Sequence, residues 1–337
     1  MKKNEKSTKS VAHVEIIEST TPCRRIVPVV LAGGTGTPLW PMAHKNFPKQ
    51  SLNVMGTDTL LNATLKRMKG FPVEWQVSDT PIVTCGEEHR FVTAEQLRDT
   101  GVEACIVIEP VGRDTAPALT LAALLACADG EDGILVTMPA DHSIADTESL
   151  QRAISHAASY AEDGFIATLG VQPTRPDTGF GYIKLGDTVD GRAYQIAHFI
   201  EKPDGELAEQ YVSLGTHWWN SGIFVVRATV WLTVLKRLQP EMYEACLAAF
   251  RQSTKDGSYF RPDAEQFARA PSDSIDYAVM ELLGTVYSQH QGVVVPLEAG
   301  WSDLGSWDAV WSSRTSSARR WPRSVRPASS GEIVTGV

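Results

Sequence analysis

Residues 26–41 read IVPVVLAGGTGTPLWP, and they carry the strongest structural signal in the chain. The opening IVPVVLA is apolar and β-branched, which is typical of a buried strand. The glycines and threonines at positions 33–37 let backbone N–H groups approach a polyphosphate at the start of a helix, although a tight turn explains the same glycines. No Gly-Lys-Ser/Thr follows, and Leu39 occupies the third glycine position of a dinucleotide loop. Both of those common phosphate loops are therefore excluded.

Downstream of this loop, short β-branched segments alternate with segments of helical periodicity. This alternation predicts βαβ units and an α/β fold with a mostly parallel central sheet. The predicted strands are residues 26–32, 81–85, 104–110, 133–138 and 165–170, and the predicted helices are residues 59–68, 87–98 and 116–128.

After residue 170 the sequence changes to strands and loops rich in glycine, proline and aromatic residues. The segments FGYIKLG, YQIAHFIEKPD and HWWNSGIFVV predict an added mixed-sheet region that closes over the carboxyl ends of the parallel strands. Helical patterns return at residues 229–238, 241–251 and 274–283, before a last strand at residues 292–298.

The two ends of the chain differ from its middle. Residues 1–25 are polar and rich in Lys, Ser and Thr, so we predict a disordered leader and no secretory signal. Residues 26–311 form the predicted domain. Residues 312–337 are rich in Ser and Arg and lack periodicity, which predicts a disordered tail or the product of a reading-frame change.

Composition excludes several classes of partner. Among 337 residues, 43% are apolar and the formal net charge is −9, which argues against nucleic acid and anionic membranes. The most apolar stretch, residues 222–235, contains Arg227 and is too short to cross a bilayer. Five cysteines without a CxxC pair favour reduced thiols. We therefore predict a soluble cytoplasmic protein.

Two loops offer groups for a nucleotide. Lys49, in the sequence FPKQ, can place an ammonium on phosphates, although a solvated surface lysine is the alternative. In the sequence EPVGRDTAP, residues 109–117, backbone groups can read a base edge while Arg113 holds a phosphate or positions the loop. Capping of the next helix by Asp114 or Thr115 explains part of the same pattern.

Carboxylates and amides further along suit a metal and a sugar. Asp141 directly follows a predicted strand at the edge where open α/β sheets bind ligands, and a carboxylate there is a natural ligand for Mg²⁺. Asp303 is the second candidate, with a turn before Gly305 as the alternative. Glu201 and Asn220 suit the hydroxyls of a sugar, and Lys202 suits its phosphate.

Together these segments resemble the bacterial mannose-1-phosphate guanylyltransferases, or GDP-mannose pyrophosphorylases. The resemblance rests on nine motifs that occur in the family's order: LAGGTGTPLWP, FPKQ, EPVGRDTAPA, MPADH, PTRPDTGFGYI, FIEKPD, WNSGIFVV, SIDYAVME and WSDLGSW. It implies a Rossmann-like nucleotidyltransferase fold that converts GTP and α-D-mannose 1-phosphate into GDP-mannose and pyrophosphate with Mg²⁺. It leaves a homodimer open.

The resemblance also implies roles for individual residues. Catalysis falls to Lys49, Asp141 and Asp303, with both aspartates holding the metal. The implied nucleotide-binding residues are Leu31, Ala32, Gly33, Gly34, Thr35, Gly36, Thr37, Lys49, Gly112, Arg113 and Asp141. The implied residues for the sugar phosphate are Gly181, Glu201, Lys202 and Asn220.

The chain departs from the family at three points. Pro38 stands where the family has an arginine expected to stabilise the triphosphate, and losing one such donor costs on the order of 10²–10³ in rate. Asp114 replaces the usual asparagine. The C-terminal isomerase domain of the long members is missing, so we predict no isomerase activity. A catalytically weak regulatory homologue and a transferase for another nucleotide and hexose phosphate are the alternatives.

Overall fold

The computed structural model describes residues 24–34, 39–40, 42–44, 47–128, 130–283 and 291–319, with side chains as far as residue 313. In these ranges twelve strands form one sheet: β1 Arg25–Leu31, β2 Gln76–Val77, β3 Ile82–Gly86, β4 Cys105–Glu109, β5 Ile134–Pro139, β6 Ile166–Val171, β7 Tyr182–Val189, β8 Ala193–Ile200, β9 His217–Arg227, β10 Thr254–Asp256, β11 Tyr259–Arg261 and β12 Gly292–Pro296.

The same ranges contain ten α-helices: α1 Leu60–Lys66, α2 Arg90–Thr100, α3 Thr115–Cys127, α4 Thr147–Glu162, α5 Gly205–Leu214, α6 Ala228–Leu238, α7 Pro240–Arg251, α8 Ala264–Ala268, α9 Ile275–Ala278 and α10 Trp307–Arg319. Short 3-10 turns lie at Lys49–Ser51, Glu87–His89 and Met280–Leu282.

The centre of the sheet is parallel, which confirms the predicted fold class. Strands β4, β3, β1 and β5 lie side by side in that order, and each neighbouring pair is parallel. Their carboxyl ends therefore meet at one edge, where open α/β sheets bind ligands. Leu31 at the end of β1 pairs with Thr84 on β3 and with Pro139 on β5.

The predicted mixed-sheet region continues the central sheet and does not form a separate layer over it. Strand β9 pairs antiparallel with β5 and then leads into β6, β12, β8 and β7. Because β7 pairs back onto β9, these five strands close on themselves. Closure leaves few free strand edges and brings residues from three strands to one place.

Helices cover both faces of the sheet, so its strands are buried on both sides. Along β1, Val27 and Val29 face a core built with α3, α6 and α7, whereas Ile26 and Val30 face the opposite core with α4. This alternation follows from the two-residue period of a strand. Burial on both faces explains the continuous apolar run that opens the domain.

Helices α4, α5 and α8, the short strand β2 and the β10–β11 hairpin lie where the sequence analysis assigned no element. Helix α4 begins after Asp146 and α5 after Asp204, and each aspartate accepts a hydrogen bond from the backbone N–H three residues on. An acidic cap before an amphipathic stretch was the available signal. The β10–β11 hairpin turns at Gly257, which has a φ of 59°.

The last described helix continues beyond residue 311. Helix α10 spans Trp307–Arg319, so residues 312–319 are helical where we predicted a disordered tail. Val310 of this helix packs with Leu39, Leu52, Leu60 and Leu304 in a small apolar cluster. The predicted leader up to residue 23 and the tail from residue 320 lie outside the described residues.

Within the described ranges, no helix combines the length and apolarity needed to cross a membrane. Among the described cysteines, Cys85, Cys105 and Cys246 are free thiols.

Candidate active site

The phosphate loop leaves the sheet at its central strand. Ala32, directly after β1, donates its backbone N–H to the carbonyl of Thr84, and its own carbonyl accepts from the amide of Gln50 at 2.6 Å. These two hydrogen bonds hold Ala32, and with it the start of the Gly33–Gly34 turn, against the sheet edge. Thr35, Gly36, Thr37 and Pro38 lie outside the described residues.

A buried carboxyl group lies beside this loop. Glu109 ends β4 and is 6% exposed, and a Cβ added at Gly33 would lie 3.0 Å from its Oε2. Burial chiefly raises the pKa of Glu109 to about 7, and the charges of Asp114 and Glu88 raise it further. Glycine at position 33 thus lets the backbone pass close to a carboxyl group that is partly protonated at neutral pH.

A cavity of about 290 Å³ opens between these groups. Its lining includes Leu31, Ala32, Gly33, Gly34, Gln50, Thr84, Glu109, Gly112, Arg113, Thr115 and Asp141. The hydroxyl of Thr84 is buried there without a hydrogen-bond partner among the described residues. A buried polar group of this kind is expected to have a partner, which a bound molecule can supply.

The loop before α3 combines capping with attachment to a neighbouring helix. Asp114 has a φ of 66° and accepts from the backbone N–H of Thr115 at 2.7 Å, so the capping predicted for this position is present. The guanidinium of Arg113 donates to the carbonyl of Ala268 at the end of α8. This bond fits the loop-positioning role that we considered for Arg113.

Lys49 joins the two predicted metal ligands. Its side chain is buried, and its ammonium donates to Oδ2 of Asp141 at 2.9 Å and to the backbone carbonyl of Asp303 at 2.6 Å. The alternative of a solvated surface lysine is therefore wrong. Ser143 and Ser302 exchange two backbone hydrogen bonds, which fasten together the loops that carry the aspartates.

Several cations influence Asp141. Burial alone raises its pKa, but the charges of His142 and Lys49 outweigh burial and hold the pKa below its ordinary value. The buried guanidinium of Arg67 donates to the carbonyl of His142 at 2.5 Å, and burial lowers the pKa of Arg67 to about 10. The Asp141 carboxylate is therefore kept ionised. Its side chain is also 37% exposed, so part of it is accessible to a cation.

The four residues predicted for the sugar phosphate lie together. Gly181 precedes β7, Glu201 follows β8, and the Tyr182–Ile200 pair places them opposite each other. The backbone N–H of Asn220 donates to the carbonyl of Gly181 at 2.8 Å. A Cβ at Gly181 would collide with the Glu201 carboxylate, so this close approach requires glycine. The ammonium of Lys202 lies 3.1 Å from Glu201 Oε1 and is mainly exposed.

Three of these four residues line a second cavity of about 230 Å³, whose lining does not include Lys202. Gly181, Glu201, Asn220, His142, Asp276 and Asp303 contribute to it. It shares Leu31, Thr115 and Pro139 with the first cavity, so the two cavities adjoin at the ends of β1 and β5. Asp141 lines the first cavity and Asp303 the second, and Lys49 contacts both aspartates.

Sequence reasoning assigned no role to several residues of this site. Glu109 and Thr84 line the first cavity, Gln50 braces the loop, and Asp276 lines the second cavity. A carboxylate that ends a buried strand was a visible signal for Glu109. No local signal pointed to Thr84, because its position depends on which strand lies next to β1.

Comparison with known proteins identifies the family. Residues 27–319 match the family model described as nucleotidyl transferase. The chain belongs to this family. It is 45% identical to the mannose-1-phosphate guanylyltransferase RfbM of Salmonella typhimurium, over 85% of this chain and 58% of that protein. It is 44% identical to the xanthan biosynthesis protein XanB of Xanthomonas campestris, again over 85% and 58%.

The fold of this nucleotidyl transferase is also found among solved structures. A Thermus thermophilus protein, described as a mannose-1-phosphate geranyltransferase, superimposes with a TM-score of 0.72 and 31% identity, covering 85% of this chain and 79% of the other. The resemblance inferred from the motifs is thus confirmed at the level of the family. The chain spans a little over half the length of the curated relatives it matches.

Proposed function

We propose that the protein transfers GMP from GTP to α-D-mannose 1-phosphate, which yields GDP-mannose and pyrophosphate. The observation that carries the proposal is that Lys49 contacts both Asp141, which lines the first cavity, and Asp303, which lines the adjoining second cavity. This arrangement suits a reaction between two phosphorylated substrates. The relatives named mannose-1-phosphate guanylyltransferase support this choice of substrates.

The first cavity suits the nucleotide. The loop of Leu31, Ala32, Gly33 and Gly34 presents backbone groups to the phosphates, together with the ammonium of Lys49. Glu109 suits guanine, because a carboxylate accepts from the two adjacent N–H groups on that edge of the base. Adenine and uracil do not present two adjacent donors there. Gly112 and Arg113 complete this side of the cavity.

The second cavity suits the sugar phosphate. Glu201 and Asn220 provide an acceptor and a donor for vicinal hydroxyls, and Gly181 leaves room beside Glu201. Burial lowers the pKa of Lys202, but the neighbouring Glu201 carboxylate outweighs burial and raises it, so Lys202 stays charged. An exposed, charged ammonium beside Glu201 is suited to the sugar phosphate.

The donor set fits Mg²⁺. Asp141 and Asp303 would hold it, since Mg²⁺ takes one or two carboxylates and completes its shell with phosphate and water oxygens. The Asp141 side chain is 37% exposed beside Lys49, which supports the proposal that part of its carboxylate is open to a metal. When bound, the metal would supply positive charge to the phosphates and to the leaving pyrophosphate.

The chain's own residues then act mainly by positioning. An oxygen of the sugar phosphate attacks the α-phosphorus in line, and pyrophosphate leaves. Lys49 offsets charge that develops in the transition state, and the two cavities hold the reacting groups close together. No general base is needed, because the nucleophile is already an anion. The free thiols support a proposal of a reducing, cytoplasmic compartment.

The test is pyrophosphate release from GTP and mannose 1-phosphate with Mg²⁺, for the natural chain and for Pro38→Arg in parallel. Turnover by the natural chain supports the proposal. Turnover by Pro38→Arg alone supports the alternative of an impaired, nucleotide-sugar-binding regulatory form, which the proline at this position favours. A substrate panel in which another nucleotide and hexose phosphate react faster would replace the proposed substrates.

A further inference from the structure

The segment of residues 273–282 lies between the two halves of the site. Its start is tied to the nucleotide side by three hydrogen bonds. The backbone N–H of Asp273 donates to the carbonyl of Arg113 at 3.2 Å, the N–H of Ala116 donates to the carbonyl of Asp273 at 3.2 Å, and the N–H of Ile275 donates to the hydroxyl of Thr115 at 2.9 Å. The segment is therefore attached to the loop that opens α3.

Two carboxylates of the same segment reach the sugar side. Oδ1 of Asp276 accepts from the amide nitrogen of Asn220 at 2.8 Å, and Oε1 of Glu281 accepts from the backbone N–H of Glu201 at 2.8 Å. Both partners belong to the second cavity. One short stretch of chain thus holds two residues proposed for the sugar and the loop proposed for the nucleotide.

The contact with Asp276 decides how Asn220 presents its amide. On the other side of that amide, Oδ1 accepts from the backbone N–H of Gly222 at 3.3 Å. It also lies 2.8 Å from the hydroxyl of Thr168, whose single hydrogen it shares with the carbonyl of Ile223 at 3.0 Å. With its oxygen facing the N–H of Gly222 and its nitrogen facing the Asp276 carboxyl, the amide has one orientation. One amide hydrogen then remains for a ligand in the cavity.

The charge state of Asp276 is compatible with its role as the acceptor for the Asn220 amide. Burial chiefly raises the pKa of Asp276 to about 7, and the nearby Glu201 and Asp114 carboxyls raise it further. The group is therefore partly neutral near pH 7, and its role as an acceptor does not require a full negative charge. An asparagine at this position keeps an acceptor oxygen, whereas an alanine keeps none.

We infer that Asp276 is a positioning residue for the sugar 1-phosphate: by holding the amide of Asn220 it preforms the hydroxyl-binding part of the second cavity. This inference rests on the proposed function, because it takes the second cavity as the sugar site. Asp276 acts through Asn220, so its loss affects the sugar substrate and leaves the nucleotide unaffected.

The test compares Asp276→Ala, Asp276→Asn and the natural chain by steady-state kinetics in both substrates. We expect Asp276→Ala to raise the KM for mannose 1-phosphate at least about tenfold while the KM for GTP stays within about twofold, since one hydrogen bond to a carboxyl group is lost. Asp276→Asn restores the KM for the sugar phosphate to within about threefold. Equal increases in both KM values, or no recovery with asparagine, would overturn the inference.

Ser274→Ala is the matched control within the same segment. Ser274 caps α9 by accepting from the backbone N–H of Tyr277 at 3.2 Å and has no contact with Asn220. We expect this variant to lower the melting temperature without changing the KM for the sugar phosphate. A KM change equal to that of Asp276→Ala would assign the effect to the stability of the segment and contradict a specific role.

A wider set of substrates distinguishes failure of this inference from failure of the proposed function. Mannose, glucose and galactose 1-phosphates are each offered to the natural chain, with calorimetric binding measured where no turnover occurs. If another hexose phosphate is preferred and Asp276→Ala weakens it selectively, the substrate proposal fails and the positioning role stands. If mannose 1-phosphate reacts and Asp276→Ala leaves its KM unchanged, the positioning role fails. Absence of hexose phosphate binding overturns both.

Discussion

At the residue scale, the site depends on carboxyl groups that burial keeps from ionising fully. Glu109 and Asp276 both have pKa values raised to about 7, chiefly by burial, and the charge of Asp114 contributes to each shift. The charge of Asp114 therefore raises the pKa of one carboxyl group in each of the two cavities. These groups lead to two predictions about single side chains.

Glu109→Gln should weaken discrimination for guanine. The variant keeps one acceptor oxygen but presents an NH₂ group to the second base donor, so we expect kcat/KM for GTP to fall about 10- to 100-fold, as for a lost hydrogen bond to a charged group. ITP lacks the exocyclic amine, and its kcat/KM should fall less. Glu298→Gln, at an exposed glutamate that does not influence the pKa of Glu109, is the control. An unchanged ratio of GTP to ITP would exclude Glu109 as the base-reading group.

Asp114→Asn should improve the binding of the triphosphate. Asparagine keeps the oxygen that caps α3 and tolerates the φ of 66°, while it removes a negative charge beside the nucleotide loop. We expect the KM for GTP to fall about two- to tenfold at low salt, with a smaller effect at high salt because of screening. Asp114→Ala, which loses the cap, should instead cost about 1 kcal/mol of stability. A KM for GTP that is independent of salt in both proteins would contradict the charge argument.

At the scale of secondary structure elements, the segments that carry Lys49 and Asp303 pack against the last helix through a small apolar cluster. Leu304 follows Asp303, has a φ of 51° and is fully buried against Leu39, Leu60 and Val310 of α10. The 3-10 turn that carries Lys49 lies between Leu39 and Leu52 in the chain. Helix α10 thus helps to hold Lys49 beside Asp303.

Leu304→Ala should therefore reduce both stability and activity. Removing a fully buried leucine costs about 2–5 kcal/mol, which we expect as a fall in the free energy of unfolding measured in urea. We also expect lower kcat at temperatures where the variant is still folded, because Asp303 loses its support. Leu214→Ala is the control, since Leu214 is 63% exposed. An equal fall in the free energy of unfolding in Leu304→Ala and Leu214→Ala would contradict a stabilising role for the apolar cluster.

At the scale of the whole molecule, buried carboxyl groups make stability depend on pH. A carboxyl group whose pKa is raised by folding stabilises the protein most below its unfolded pKa, and this contribution is lost as pH rises through the folded value. For Glu109 the window runs from about pH 4.5 to about pH 7. The shift corresponds to about 3 kcal/mol, at about 1.4 kcal/mol per pKa unit.

Glu109→Gln should accordingly flatten the pH profile of stability. In denaturant melts at pH 5.5, 7 and 8.5, the free energy of unfolding of the variant should rise relative to that of the natural chain. The rise should total about 2 kcal/mol, because about one pKa unit of the effect is already lost below pH 5.5. Glu298→Gln, at an exposed glutamate, should follow the natural chain. Parallel profiles for Glu109→Gln and the natural chain would mean that folding does not raise the pKa of Glu109.

Local patterns were sufficient for much of the fold. The run before Gly33 predicted β1, Gly101 ended α2 in the left-handed conformation, and Pro117 fell in the first turn of α3. These features depend on neighbours within a strand or a helical turn. Helices α4 and α5 begin after the capping residues Asp146 and Asp204, and the sequence analysis still missed them. It also missed the helical residues 312–319, because their Ser- and Arg-rich composition is typical of disorder.

What the sequence by itself determined was the fold class and the family, and it also yielded the residues proposed to bind phosphate, metal and sugar, because each is carried by a short motif. Only the tertiary structure decided which of them meet. The register of β7, β8 and β9 brings Gly181, Glu201 and Asn220 together, and the Ser143–Ser302 bridge joins the loops of the two aspartates. Contacts such as that of Asp276 with Asn220 join segments distant in sequence, so they depend on packing of the whole sheet and its helices.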